Sequence, residues 1–172
     1  MKRKRKQTVR RKLCMGLMAG LVAGLTVSTL PVLAAEEGGE PTQAQATLPT
    51  QELAIVSANG RHVFTVEVAT TPRQQQVGEM FRTAVAPTGG MLFPWGQPQQ
   101  SEMWMRNTLV PLDIVFIGSD KRIQAITENA VPQSLAHISS HGPVVATLEL
   151  AGGTTAKLGI VVGDKVEAAS LK

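Results

Sequence analysis

The sequence predicts a mainly β protein: a single small antiparallel barrel or sandwich with one short helix, preceded by a signal peptide and a disordered tether. Three observations predict it. Short β-prone runs separated by Gly and Pro turns fill residues 53–172, the pattern of a small all-β domain. Neither an internal repeat nor a long amphipathic helical stretch interrupts them. The first 34 residues have the layout of a secretory signal: a basic start, an apolar centre and small residues at the cleavage point.

Eight of the 17 Lys and Arg lie in the first twelve residues, and Leu13 to Leu33 carries no charge. Val32 and Ala34 place small residues at −3 and −1 of a cleavage point before Ala35. Uncleaved, the 21 apolar residues are long enough to span a bilayer. Gly16, Gly20 and Gly24 recur at a spacing that lets membrane helices approach closely. Arg10-Arg11 fits a twin-arginine signal only in part. Export to the periplasm or beyond is the expectation, with membrane contact only through this segment if it is retained.

Beyond residue 34, 13 acidic residues face nine basic ones. No basic patch is left to neutralise phosphates, so nucleic acid is not an expected partner. Cys14 is the only cysteine and lies within the signal. The mature chain therefore has no disulfide, no thiolate metal site and no thiol nucleophile.

Residues 35–52 are polar with few large apolar groups, and read as a flexible tether. Order begins near Leu53. Asn59-Gly60 between two β-prone runs signals a hairpin. Phe64, Val66 and Val68 then alternate with Thr65, Glu67 and Ala69, which buries one face. Thr71-Pro72-Arg73-Gln74 starts a helix, with Thr71 as N-cap, Pro72 at the first position and Gln74 closing a capping box. Val77, Met80 and Phe81 form its apolar stripe. Gly89-Gly90 turns into Met91-Leu92-Phe93, and residues 94–98 read as a loop. Further strands are expected at 102–106, 112–117, 122–127, 143–150 and 165–169. In the second of these Leu112, Ile114 and Phe116 share a face, opposite Asp113, Val115 and Ile117.

The motifs resemble the bacterial and archaeal family known as domain of unknown function 192. They are Gly78-Glu79-Met80-Phe81-Arg82, Gly90-Met91-Leu92-Phe93, Trp104-Met105-Arg106-Asn107-Thr108-Leu109-Val110-Pro111-Leu112-Asp113, Leu148-Glu149-Leu150 and Gly163-Asp164. Their order and approximate spacing match over residues 53–169. Glu79 stands where leucine is usual, and Met103 where an aromatic is usual. The resemblance implies an exported or membrane-tethered, mainly β domain and no established reaction.

The run from Ser101 to Phe116 sets Arg106, Asn107, Thr108 and Asp113 among large apolar side chains, and each such group needs a partner once buried. If the strand is extended, Trp104 and Arg106 share a face and Met103 and Met105 the other. One reading is a polar cleft built from Arg82, Trp104, Arg106, Asn107, Thr108 and Asp113, fit for a small polar ligand such as a sugar or a carboxylate. The bland reading is that Asn107 and Thr108 satisfy backbone groups at a turn and that Asp113 pairs with Arg82 or Arg106. Other constellations are thinner. Asp113 and Glu149 form an acid–base pair if strands bring them together. Met103 and Met105 could hold Cu(I), though packing is the commoner use. His137 and His141 have ligand-like spacing but no carboxylate or thiol beside them, and read as exposed loop residues. No cofactor is expected.

The functional expectation is an extracytoplasmic binding or accessory module for a small polar ligand or envelope component. The alternatives are a hydrolase acting on a cell-envelope polymer through paired carboxylates, and soft-metal binding.

Overall fold

The computed structural model describes residues 39–171. The expected signal segment, its cleavage point and Cys14 lie outside the described residues. Seven strands, β1 (Thr50–Ser57), β2 (Gly60–Val68), β3 (Gly89–Met103), β4 (Leu112–Ile117), β5 (Ile123–Ala130), β6 (Ile138–Ala151) and β7 (Lys165–Ala168), form one sheet in the order β5-β4-β6-β3-β2-β1-β7. The sheet curls into a half-barrel until its rims meet. Arg122 and Lys165 form a single bridge, flanked by Ile123 N–H to Asp164 O at 2.9 Å and Val166 N–H to Lys121 O at 2.8 Å.

Local chemistry accounts for most of the elements. β1 and β2 pair as a hairpin closed at Ser57 and Gly60, so Ala58-Asn59 forms the turn. Helix α1 (Pro72–Val77) carries the expected capping box: Thr71 accepts from the Gln74 N–H, and Gln74 accepts from the Thr71 N–H. It is shorter than its apolar stripe suggested. Gly78 ends it at φ 48°, a left-handed value that glycine adopts without steric cost, so Met80 and Phe81 lie in the turns that follow. A second helix, α2 (Thr154–Leu158), is an addition to the one expected, and Gly153 precedes it at φ 81°.

Both faces of the sheet are covered at its central strands, β3, β4 and β6. Leu53, Phe64, Leu92, Val115, Leu148 and Leu150 pack inside the curl. On the outer face Leu112, Ile114 and Phe116 pack with Met105 and Val144, beside a smaller cluster of Met91 and Phe93. All six residues of β4 are consequently buried.

One connection decides where the site lies. β2 and β3 are parallel, the exception in an otherwise antiparallel sheet. A parallel pair cannot be closed by a tight turn, so the chain must cross a face. The crossing segment holds α1, Glu79 and Arg82.

Two expected elements differ. The strand placed at 102–106 is the tail of β3, which stops at Met103. Residues 104–111 leave the sheet: Met105 N–H donates to Ser134 O at 3.0 Å and Thr108 N–H to Met105 O at 3.0 Å. The loop expected at 94–98 runs within β3, where a register shift between Pro94 and Gln99 absorbs the prolines. Residues 39–49 carry no helix or strand, yet they touch the domain. The Gln45 amide donates to Gln74 O and Gly78 O, the Leu48 N–H to Glu67 at 2.7 Å, and Glu40 pairs with Arg106 at 3.2 Å.

Candidate functional site

Register assembles the site. Glu67 on β2 pairs with Met91 on β3, Met91 with Glu149 on β6, and Glu149 with Ile114 on β4. Paired residues share a face, so Glu67 and Glu149 flank Met91 on the outer surface, beneath the β2–β3 crossing. That crossing lays Glu79 and Arg82 over them.

Arg82 binds Glu67 through two parallel N–H bonds, Nη1 to Oε1 and Nη2 to Oε2, the second at 2.8 Å. Its Nε lies 3.2 Å from Glu79 Oε2, an ion-pair contact rather than a hydrogen bond. One guanidinium thus serves two carboxyls. Burial pushes Glu67 upward, but the Arg82 bonds and the Leu48 N–H outweigh it and hold the group below its usual range. Glu79 is less well served: burial raises it to about 7 against the pull of Arg82. Burial, then the nearby Glu79 charge, pushes Glu149 well above the usual carboxylate range. Glu79 Oε2 and Glu149 Oε2 are buried without a hydrogen-bond partner, and such orphaned groups are rare in native proteins.

Both carboxyls face a cavity of about 120 Å³. Gly78 forms part of its wall, and a Cβ there would meet the Phe93 ring at 3.2 Å. Trp95 and Trp104 line it, with Glu102 at an exposed position. Trp95 is fixed by its Nε1–H bond to Thr147 Oγ1 at 3.2 Å and by stacking on Phe93. Trp104 is 40% exposed. The Arg106 guanidinium lies 5.0 Å from its ring centroid, and the His137 ring meets its edge at 6.3 Å. Gln100 and Ser139 donate to Glu102 and hold it below its usual range.

The six residues expected to build one cleft separate into four environments. Trp104 lines the cavity and carries Arg106 on its ring, although the strand meant to align them has ended. Thr108 is also at the cavity, but buried, with its hydroxyl bonded to Arg106 O at 3.4 Å. Asn107 is a turn residue at φ 56° whose carbonyl accepts from Phe81 N–H. Arg82 is committed to Glu67 and Glu79.

Asp113 belongs elsewhere. It lies opposite Leu150, one position from the Ile114–Glu149 pair, so its side chain enters the opposite face from Glu149. The expected Asp113–Glu149 pair is therefore not formed. Nor does Asp113 pair with Arg82 or Arg106. Four donors satisfy it instead: Asn129 N–H and Gly153 N–H at 2.9 Å, Thr155 N–H at 2.8 Å and Thr155 Oγ1 at 2.7 Å. A buried carboxylate needs its charge solvated, and backbone amides do that as well as a cation.

Sequence reasoning missed Glu67, Trp95 and Glu102 as site members, and Glu79 above all. Glu79 was visible as a glutamate where the motif carries leucine. The end of β3 also separates Met103 from the fully buried Met105, so the two thioethers do not share a strand face. Among the described residues, no group of three or more His, Cys, Asp or Glu is placed to hold a metal.

Comparison with known proteins adds family and fold. The model of the family domain of unknown function 192, described as Uncharacterized ACR, matches residues 54–168. The structure of a candidate transcription regulator from Sinorhizobium meliloti 1021 is 43% identical, with a TM-score of 0.70, over 74% of this chain and 99% of that one. A protein of unknown function from Novosphingobium aromaticivorans DSM 12444 is 42% identical, also at TM-score 0.70, over 76% and 94% of the two chains. No curated protein matches the chain.

Proposed function

This chain belongs to the family domain of unknown function 192, and on that premise we propose that it is an extracytoplasmic binding or accessory module whose small polar ligand enters the cavity over Glu79 and Glu149. The observation that carries this is the pair of buried carboxyl oxygens without hydrogen-bond partners, on residues that line a cavity beside a half-exposed tryptophan. Burying a polar atom without a partner costs roughly 1–3 kcal/mol, a cost that a ligand supplying hydrogen bonds would recover. The basic and apolar start of the sequence supports export. A nucleic-acid role has less support, since acidic residues outnumber basic ones after residue 34.

A hydrolase using Glu79 and Glu149 is the second reading. It draws on the raised Glu79, whose value of about 7 suits a general acid. The cavity of about 120 Å³ favours binding over it, because a polymer needs an open cleft on both sides of the scissile bond.

The test is a thermal-shift screen of the full chain against sugars, amines, carboxylates and envelope fragments, in parallel with Trp104→Ala. A ligand of the native state raises the wild-type midpoint. The variant should keep its fold, because Trp104 is half-exposed, and should lose the response. An equal response in Trp104→Ala would move the site elsewhere.

A further inference from the structure

We propose that the cavity beside Trp104 receives the primary ammonium group of a small organic amine. This rests on the reading of the same cavity as the ligand site, and names the chemistry it selects. Three carboxyls, Glu79, Glu102 and Glu149, line the cavity, and none of its described lining residues is cationic. Two guanidiniums stand close by: Arg82 lies behind Glu79 and is committed to Glu67 by two bonds, and Arg106 lies on the Trp104 ring and pairs with Glu40. Among the described residues no cation contacts Glu149, and Glu79 Oε2 has only the ion-pair contact with Arg82.

The unpartnered oxygens of Glu79 and Glu149 are acceptors when ionised. An ammonium supplies three N–H donors in a compact head. A neutral hydroxyl supplies one donor and no charge, and an anion would meet only like charge. The walls suit a cation as well. Trp104 already holds one, the Arg106 guanidinium, at 5.0 Å from its ring centroid, and the electron-rich face of an indole attracts such groups. Trp95 adds a second indole at the cavity.

Binding would be linked to protons. The titratable groups around the cavity are Glu79, Glu102 and Glu149, with Glu67 and Arg82 behind them, Arg106 on the Trp104 ring and His137 beside Glu102 and Trp104. Glu149 sits well above the ordinary carboxylate range when no ligand compensates its charge. An arriving ammonium stabilises its ionised form, so the amine enters and a proton leaves to solvent.

The experiment is titration calorimetry and thermal shift on the full chain, with ethanolamine against ethylene glycol and glucosamine against glucose. Glycine serves as an amine that also carries a carboxylate. The expected result is binding of ethanolamine or glucosamine, at least tenfold weaker binding of its neutral counterpart and of glycine, and proton release seen as a dependence of the measured heat on buffer ionisation enthalpy. A response to ethanolamine alone points to a lipid head group as the source, and one to glucosamine alone to an amino sugar. Glu149→Gln should weaken amine binding at least tenfold, and Glu79→Gln gives a second check should that variant not fold. Equal or tighter binding of the neutral compounds, lost in Trp104→Ala, would overturn the ammonium assignment and leave the cavity as the ligand site. No response to any amine would also overturn it, and no response to any compound would overturn both readings.

Discussion

The backbone N–H of Phe81 donates to the carbonyl oxygen of Asn107 at 2.8 Å, and both residues hold left-handed backbone, at φ 62° and 56°. This contact joins the β2–β3 crossing to the segment that follows β3, the two pieces that carry Glu79 and Trp104. Asparagine tolerates this conformation and phenylalanine does not. Strain at Phe81 is thus held by the surrounding contacts, beside the candidate site.

The first prediction concerns that joint. Asn107→Gly should leave stability within about 0.5 kcal/mol, whereas Asn107→Ala should cost about 1 kcal/mol because Cβ crowds the carbonyl at positive φ. Asn107→Val should cost more. Urea midpoints of the three variants measure the order, and an alanine variant as stable as the glycine one would remove the strain argument.

Asp113 should behave as an anchor with no part in binding. Asp113→Ala strips the acceptor from three backbone amides and one hydroxyl, and should cost about 3 kcal/mol or more. Asp113→Asn should also be damaging, since its amide nitrogen would face donors on either side. Hydrogen exchange at Gly153 and Thr155 should rise in both variants. Ligand-induced stabilisation in whatever fraction still folds should match the wild type.

Arg82 should matter more for folding than for ligand contact. Arg82→Met leaves Glu67 and Glu79 without their shared cation and should cost roughly 3–5 kcal/mol. Adding Glu67→Met should recover part of that loss, because the pair then leaves together. A double-mutant cycle read by chemical denaturation checks the coupling.

The raised carboxyls set a pH dependence. A carboxyl held at a higher value in the folded state binds its proton more tightly than in the unfolded chain. Its stabilisation is complete below the unfolded value of 4.5, and for Glu79 is lost as pH rises to about 7. The loss is on the order of 3 kcal/mol. Glu149 extends the same trend to higher pH, while Glu67, held low, loses its stabilisation only in acid. Glu79→Gln should flatten the fall between about pH 4.5 and 7. Denaturant midpoints across that range test it, and an unchanged slope would mean that Glu79 is ionised in the folded protein.

Much of the fold was legible because the signals were local. The Thr71 capping box needs four consecutive residues, and the alternation in β4 needs six. Both appear in the structure as expected. The end of β3 at Met103 was not legible, because it depends on Met105 finding Ser134 across the chain. The site failed to show for a related reason. Glu149 is far in sequence from Glu67 and Glu79, and the three meet only through the register of three strands and one parallel crossing. Asp113 and Glu149 each looked like half of a pair. A one-residue offset between neighbouring strands sends them to opposite faces, and no single-sequence pattern reports that offset.

The meeting of the rims near Arg122 and Lys165 has a consequence for the protein among its neighbours. An open sheet offers two strips of unpaired backbone along which a second copy could zip, the usual seed of fibrous assembly. Here the curl brings the four-residue β7 against the residues leading into β5, and each strip supplies hydrogen bonds to the other. The molecule thus closes one short stretch of its own adhesive margin, at residues 121–123. A chain with no cysteine after its first segment, and so no covalent clasp, joins its two rims by backbone hydrogen bonds alone.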